Sequence, residues 1–201
     1  MSGRIVILNG APRSGKSTIA RAVQDKLEGR WINLGVDHAM ATLPASLRPG
    51  IGLRPGGERP DLETDIPHLY LAVYESIAAH ARLGFNVVAD FGHHDSYSRT
   101  LGILPACAKS LTGLQTLFVG VLCPVDIIMV RRNADPQDGY YASGAGIPEP
   151  VQRWQDAVHM PGIYDLEVDT SLLDADECVL RIADRLTHPR TPSAFEELAA
   201  L

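Results

Sequence analysis

The chain reads as an α/β fold, a five-stranded parallel sheet with helices on both faces. Two observations carry this reading. Apolar runs alternate with helix-period segments from residue 4 to residue 186, the pattern of repeated strand–helix units. The runs are also apolar on both faces, as strands are when helices cover each side of a parallel sheet. The first strand is expected at 4–8 and the first amphipathic helix at 17–27, where apolar residues recur three to four apart. A short strand at 31–34 leads into a short helix from Asp37 to about residue 43. Residues 44–64 carry Pro44, Pro49, Pro55 and Pro60 among several glycines, and read as a long irregular loop. A helix follows at 65–83, with Ile66, Leu69, Val73, Ile77 and Ala81 mostly on one side. The third strand is expected at 85–89, ending at Asp90, with a helix at 97–111. A continuous apolar strand at 114–122 precedes a helix at 125–132 and a glycine-rich loop at 139–150. A short helix at 149–158, a last strand at 166–168 and a helix at 174–186 complete the pattern. Residues 1–187 are assigned to one domain. The C-terminal tail 188–201 begins with a Pro/Ser linker and ends in a short helical segment, and its composition does not decide whether it is ordered.

Composition narrows the function. With 201 residues, 45% of them hydrophobic and 21% charged, the chain is long enough to bury a core without disulfides or a metal staple. Eighteen basic against 24 acidic residues leave a net charge of −6. The longest basic block is Arg131-Arg132, which argues against nucleic acid or an anionic membrane as the partner. No apolar run approaches the ~18 residues of a membrane span, and residues 5–8 are too short for a signal-peptide core. Cys107, Cys123 and Cys178 stand far apart, with neither a CxxC pair nor metal-ligand spacing, and read as small buried apolar residues. A cytoplasmic setting is expected, and a homo-oligomer is left open.

Chemistry is sought outside the carboxyl ends of the strands, where ligands bind in such sheets. Residues 10–17 there read Gly-Ala-Pro-Arg-Ser-Gly-Lys-Ser, a complete Gly-x-x-x-x-Gly-Lys-Ser. Gly10 and Gly15 let the backbone curl so that its N–H groups point at phosphate oxygens. Lys16 reaches the β- and γ-phosphates, the Ser17 hydroxyl can ligate Mg²⁺, and the helix N-terminus adds partial positive charge. The flanks are correct, an apolar strand before and an amphipathic helix after. Gly10, Ala11, Pro12, Arg13, Ser14, Gly15, Lys16, Ser17 and Thr18 are therefore expected to hold ATP with Mg²⁺.

Several side chains are candidates for the rest of the reaction. Asp37, just past the second strand, either accepts a proton from an attacking hydroxyl or caps the helix that starts there. Asp90 follows Val87-Val88-Ala89 in the Walker B pattern, where a carboxylate holds Mg²⁺; contact with the substrate is its rival role. His93 and His94 are expected to face solvent or line the substrate pocket, because neighbouring strand side chains point apart and do not share a metal easily. Arg131 is placed to neutralise charge on a transferring phosphoryl group, against the plainer reading of a basic pair at a helix C-terminus.

Ile7-Leu8-Asn9-Gly10, the Gly15-Lys16-Ser17 loop end, Gly35-Val36-Asp37 and Tyr164-Asp165-Leu166-Glu167-Val168-Asp169-Thr170 together resemble chloramphenicol phosphotransferase and its relatives over roughly residues 4–186. The resemblance implies a fold similar to shikimate and nucleotide kinases, with a small lid. It also implies an ATP-dependent kinase that phosphorylates a hydroxyl of a small antibiotic. Asp37 then corresponds to the catalytic base and Ser17 to a magnesium ligand, with Asp90 as its helper. The stretch after the fourth long helix, Arg131-Arg132-Asn133-Ala134-Asp135-Pro136-Gln137-Asp138, has acids and a proline where the family's lid has more arginine. Residues 92–100 also depart from the family. They are expected to line the acceptor pocket, so the resemblance does not set the acceptor.

The alternative enzyme is a metabolic kinase of the shikimate, gluconate or nucleoside monophosphate type. An acidic acceptor would need converging arginines, which Arg48, Arg54 and Arg59 of the 44–64 loop could supply. A regulatory nucleotide switch would need an Asn-Lys-x-Asp element, which the sequence lacks.

Overall fold

A computed structural model describes residues 2–135 and 146–201. Its sheet has five strands, β1 (Ile5–Asn9), β2 (Trp31–Asn33), β3 (Asn86–Phe91), β4 (Thr116–Leu122) and β5 (Leu166–Asp169), in the spatial order β2-β3-β1-β4-β5. Every pairing is parallel. β1 lies at the centre, so Leu8 sits opposite both Asp90 and Val119.

The pleat sorts the apolar runs into two cores. Ile5 and Ile7 of β1, Val87, Ala89 and Phe91 of β3 and Phe118 of β4 point to one face. There they meet α3 (Ile66–Arg82), α4 (Ile103–Ser110) and α8 (Ala194–Ala199). Val6, Leu8, Val88, Val119 and Val121 point to the other, against α1 (Lys16–Lys26) and α7 (Ala175–Thr187). α2 (Val36–Ala41), α5 (Val125–Ala134) and α6 (Glu149–Ala157) gather around the carboxyl ends of the strands. Among the described residues, no helix is long and apolar enough to cross a membrane. Cys107, Cys123 and Cys178 are buried free thiols.

Two segments differ from the sequence expectation. The helix expected at 97–111 begins only at Ile103. Asp95 accepts hydrogen bonds from the N–H of Leu101 (2.7 Å) and Gly102 (3.1 Å), and Gly102 turns the chain at φ 63°. The segment before it is held as a turn, with Ser98 bonded to Glu63. The 44–64 loop is irregular as expected, but contains three single-turn 3₁₀ segments, Ala45–Leu47, Gly50–Gly52 and Pro60–Leu62. Most of the glycine-rich loop at 139–150, and the lid positions Pro136, Gln137 and Asp138, lie outside the described residues.

Residues 188–201 pack on their own domain. Ser193 and Glu196 form a reciprocal capping box that starts α8. The Asp165 carboxylate accepts from Ala194 N–H (2.7 Å) and from Phe118 N–H of β4 (2.8 Å). Phe195 enters the core edge-on to Phe118, with ring centroids 5.0 Å apart. Phe195→Ala is expected to cost about 3–5 kcal/mol, the usual range for emptying a buried aromatic site, read as a lower urea midpoint.

Candidate active site

The glycine turn after β1 fits because nothing larger would. A Cβ on Gly10 would collide with the Val121 carbonyl oxygen and stand 2.8 Å from Ser14 Oγ. Gly15 (φ 95°) and Arg13 (φ 68°) both adopt the left-handed conformation that curls the loop. α1 then opens at Lys16 with no side-chain cap, which leaves its first N–H groups for an anion. Lys16 is buried, and its Nζ donates to the Ala11 carbonyl at 2.8 Å. Burial lowers its pKa to about 8, while the carboxylates of Asp90 and Asp37 pull it back upward.

The fold brings Asp90 and Ser17, 73 residues apart, together: Ser17 Oγ donates to Asp90 Oδ2 at 2.8 Å. Asp90 is buried at the end of β3, and its other oxygen lies where a Cβ on Gly35 would be. The glycine of Gly35-Val36-Asp37 is thus the space that admits this carboxylate. Asp37 itself is exposed, in the first turn of α2, and opens onto the same cleft as Lys16 and Asp90. It does not cap the helix: Gly35 holds the N-cap position and no side chain bonds there.

Arg131 also lines the cleft, with its guanidinium engaged. Its Nη1 donates to Thr170 Oγ1 (2.9 Å) and the Arg13 carbonyl (3.3 Å), and its Nη2 to the Thr170 carbonyl (2.6 Å). Thr170 Oγ1 in turn donates to the Ser14 carbonyl at 2.7 Å. Arg131 therefore ties the phosphate loop to the end of β5. Arg13 reaches Asp135 at the end of α5 (2.8 Å) and spans the rim.

The two histidines correct the sequence reading. Both are buried and neither lines the cleft. His93 packs among Tyr70, Tyr74 and Phe91, and its Nε2 shares a hydrogen bond with Tyr74 Oη (2.7 Å). Burial lowers its pKa to about 3, so it stays neutral. His94 accepts from Ser96 N–H at Nδ1, which leaves Nε2–H to donate to the Leu53 carbonyl (2.8 Å). Of residues 92–100, expected to line the acceptor pocket, only Gly92 borders the cleft.

The cleft measures about 1340 Å³, above the usual range of about 300–1,000 Å³ for a single small ligand. It has room for a nucleotide and a second molecule. Beyond the phosphate loop its wall is mixed: Val36, Met40, Pro49, Ile51, Val151 and Trp154 build an apolar stretch, and Arg131, Arg132, Asp135, Asp174 and Glu177 add charge elsewhere. The sequence reading missed Trp154, because a tryptophan in a short amphipathic helix reads as core. Arg54 also borders the cleft, held by Glu58 at 2.6 Å. Arg48 and Arg59 do not line it. Arg48 bonds the Leu43 carbonyl, and Arg59 bonds Asp61 with the carbonyls of Ser46 and Arg48.

The family model described as chloramphenicol phosphotransferase-like protein matches residues 3–187. The chain belongs to that family. A curated protein of Mycobacterium tuberculosis named "Putative O-phosphotransferase Rv2636" is 26% identical over 210 residues, covering 98% of this chain and 88% of the relative. Solved structures show the same fold. The Mycobacterium tuberculosis APS kinase CysC, in complex with AMPPNP and APS, superposes with TM-score 0.58 at 19% identity, covering 93% of this chain and 98% of the other. Shikimate kinase from Acinetobacter baumannii, in complex with shikimate, gives 0.60 at 12%, covering 94% and 95%. The Deinococcus radiodurans tunicamycin resistance protein gives 0.59 at 13%, covering 92% and 95%. This member of the family is a phosphotransferase on a P-loop kinase fold.

A triphosphate meets Lys16 as an ammonium, so affinity for a nucleoside triphosphate is expected to fall as pH rises through about 8. Bound phosphate favours the charged form, so binding near pH 8.5 should take up protons. Calorimetry in two buffers of different ionisation enthalpy measures this, and Lys16→Met should abolish the uptake.

Proposed function

We propose that the chain transfers the γ-phosphoryl group of ATP to a hydroxyl of a small neutral molecule with an apolar body, an antibiotic such as chloramphenicol or a related compound. The observation that carries this reading is the make-up of the cleft: Lys16, Ser17, Asp90 and Asp37 open onto one space that also has an apolar stretch of wall, from Val36, Met40, Pro49, Ile51, Val151 and Trp154. An acceptor bearing carboxylate or phosphate calls for converging guanidinium groups. Here Arg48 and Arg59 are turned into their own loop, Arg54 carries its counter-charge in Glu58, Arg13 pairs with Asp135, and Arg131 is held on Thr170.

The residues divide the work. The N–H groups of the loop from Gly10 to Thr18 and the Lys16 ammonium hold the phosphates in line. Ser17 and Asp90 fit Mg²⁺, which takes one or two protein oxygens and fills its remaining positions with phosphates and water. When bound, that ion neutralises charge on the phosphate oxygens. Asp37 receives the acceptor's proton as its oxygen bonds to the γ-phosphorus; the bond from phosphorus to the bridging oxygen breaks and ADP leaves. Arg131 supplies fixed positive charge behind the loop. Most of the rate enhancement then comes from positioning and electrostatics.

Asp37→Ala is expected to lower kcat by about 10²–10⁴-fold, the span for loss of a general base, with ATP binding retained. Lys16→Ala should abolish turnover. ATP consumption with Mg²⁺ is measured against chloramphenicol and other hydroxyl-bearing antibiotics, shikimate, gluconate and nucleoside monophosphates. Turnover confined to an acidic acceptor would overturn the neutral-acceptor reading, and an undiminished kcat in Asp37→Ala would overturn the base.

A further inference from the structure

Asn9, the last residue of β1, lies outside the cleft and is buried, directly before the phosphate loop. All of its amide groups with hydrogen-bonding capacity are engaged. Oδ1 accepts from the N–H of His93 at 2.7 Å, and Nδ2 donates to the carbonyl of Val158 and to Tyr164 Oη, each at 2.8 Å. Tyr164 Oη, accepting from Asn9, also shares a hydrogen bond with His159 Nδ1 at 2.8 Å. The Tyr164 ring lies against Gly120 of β4, where a Cβ would stand 2.8 Å from two ring carbons.

Two of these bonds, those to Val158 and His93, end on segments that border the cleft. Val158 closes α6, which carries Val151 and Trp154. His93 follows Gly92, against which the Trp154 ring packs closely enough that a Cβ would lie 2.7 Å from it. His94, next in the chain, holds the Leu53 carbonyl between cleft residues Gly52 and Arg54, and meets Trp154 edge-on with centroids 5.0 Å apart. One amide thus links the start of the phosphate loop to the α6 wall, the 92–94 turn and the 51–54 segment.

We infer that Asn9 is a positioning residue that sets the acceptor walls in register with the phosphate loop. The inference rests on the reading above, that these walls receive the acceptor. A one-ångström error between γ-phosphate and attacking oxygen costs on the order of 10²-fold in rate, so a buried amide that fixes both sides at once acts on the acceptor and spares the nucleotide.

The test uses the full chain with Trp31→Phe, which leaves Trp154 as the one tryptophan of the two in the sequence. Asn9→Ala removes every link. Asn9→Asp keeps the acceptor for His93 N–H and removes both donors. Tyr164→Phe deletes a single hydroxyl and serves if the Asn9 variants fail to fold. Acrylamide quenching of Trp154 and the Kd of Mg-ATP are measured on all of them, with KM and kcat for chloramphenicol. The expected result is at least about twofold stronger quenching, an acceptor kcat/KM lower by on the order of 10²-fold and an Mg-ATP Kd within about twofold of the parent. Quenching unchanged in the variants overturns the inference, whatever the acceptor. Equal loss of Mg-ATP affinity overturns it too, leaving Asn9 a support for the phosphate loop. Absence of chloramphenicol turnover in the parent chain counts against the acceptor proposed above, and the quenching comparison then decides the role of Asn9.

Discussion

The turn that leaves β1 has almost no room, and the arrangement of the site follows from that. Gly10 passes between the Val121 carbonyl and Ser14, its N–H bonded to the Phe91 carbonyl at 3.2 Å. This crowding holds the phosphate loop against the ends of β3 and β4. It also sets Asp90 beside Ser17 and brings the β5 end, through Thr170, onto the loop's outer carbonyls. A loop held this way presents its N–H groups without reorganising when charge arrives, which is the condition under which fixed dipoles act most strongly.

Around that rigid centre the cleft is built in two materials. The phosphate end is charged and hydrogen-bonded, with Lys16, Asp90 and Arg131 each engaged by specific partners. The far end is assembled from side chains of α2, the 44–64 loop and α6 that offer surface more than charge. The two ends face different demands. The phosphate end meets the group that a phosphotransferase moves, whereas discrimination between second molecules falls to the surface of the far end. The difference sits in segments that do not belong to the sheet.

How much of this could be read from the chain follows the range of the interactions. The strands, the phosphate loop and the Ser17–Asp90 pair rest on local runs and fixed spacings, so Gly10, Lys16 and Asp90 stand out in the sequence, as does the Gly35-Val36-Asp37 element. The segment 97–102 misleads because its helical pattern is overruled by one side chain, Asp95, that takes the N–H groups of Leu101 and Gly102. The burial of His93 and His94 depends on aromatic rings from α3 and α6, more than 15 residues away on either side, which no local window contains. Asn9 is the clearest case. Its type and place are visible, but its three partners come from residues 93, 158 and 164, and only the closed fold brings them to one amide.

The central place of β1 also has a bearing on how the chain is made. Its neighbours are residues 86–91 and 116–122, so β1 stays unpaired until residue 91 has emerged and lacks its second partner until residue 122 has. At about 5–20 residues per second, that wait is on the order of 10 s, with Ile5, Val6, Ile7 and Leu8 lacking their final cover. The last helix delays closure further, because Phe195 and Leu198 of α8 belong to the same core as Ile5 and Ile7. Contacts this distant in sequence fold slowly and leave apolar strand surface open meanwhile. Until α8 has emerged, the apolar face of β1 stays open to other chains.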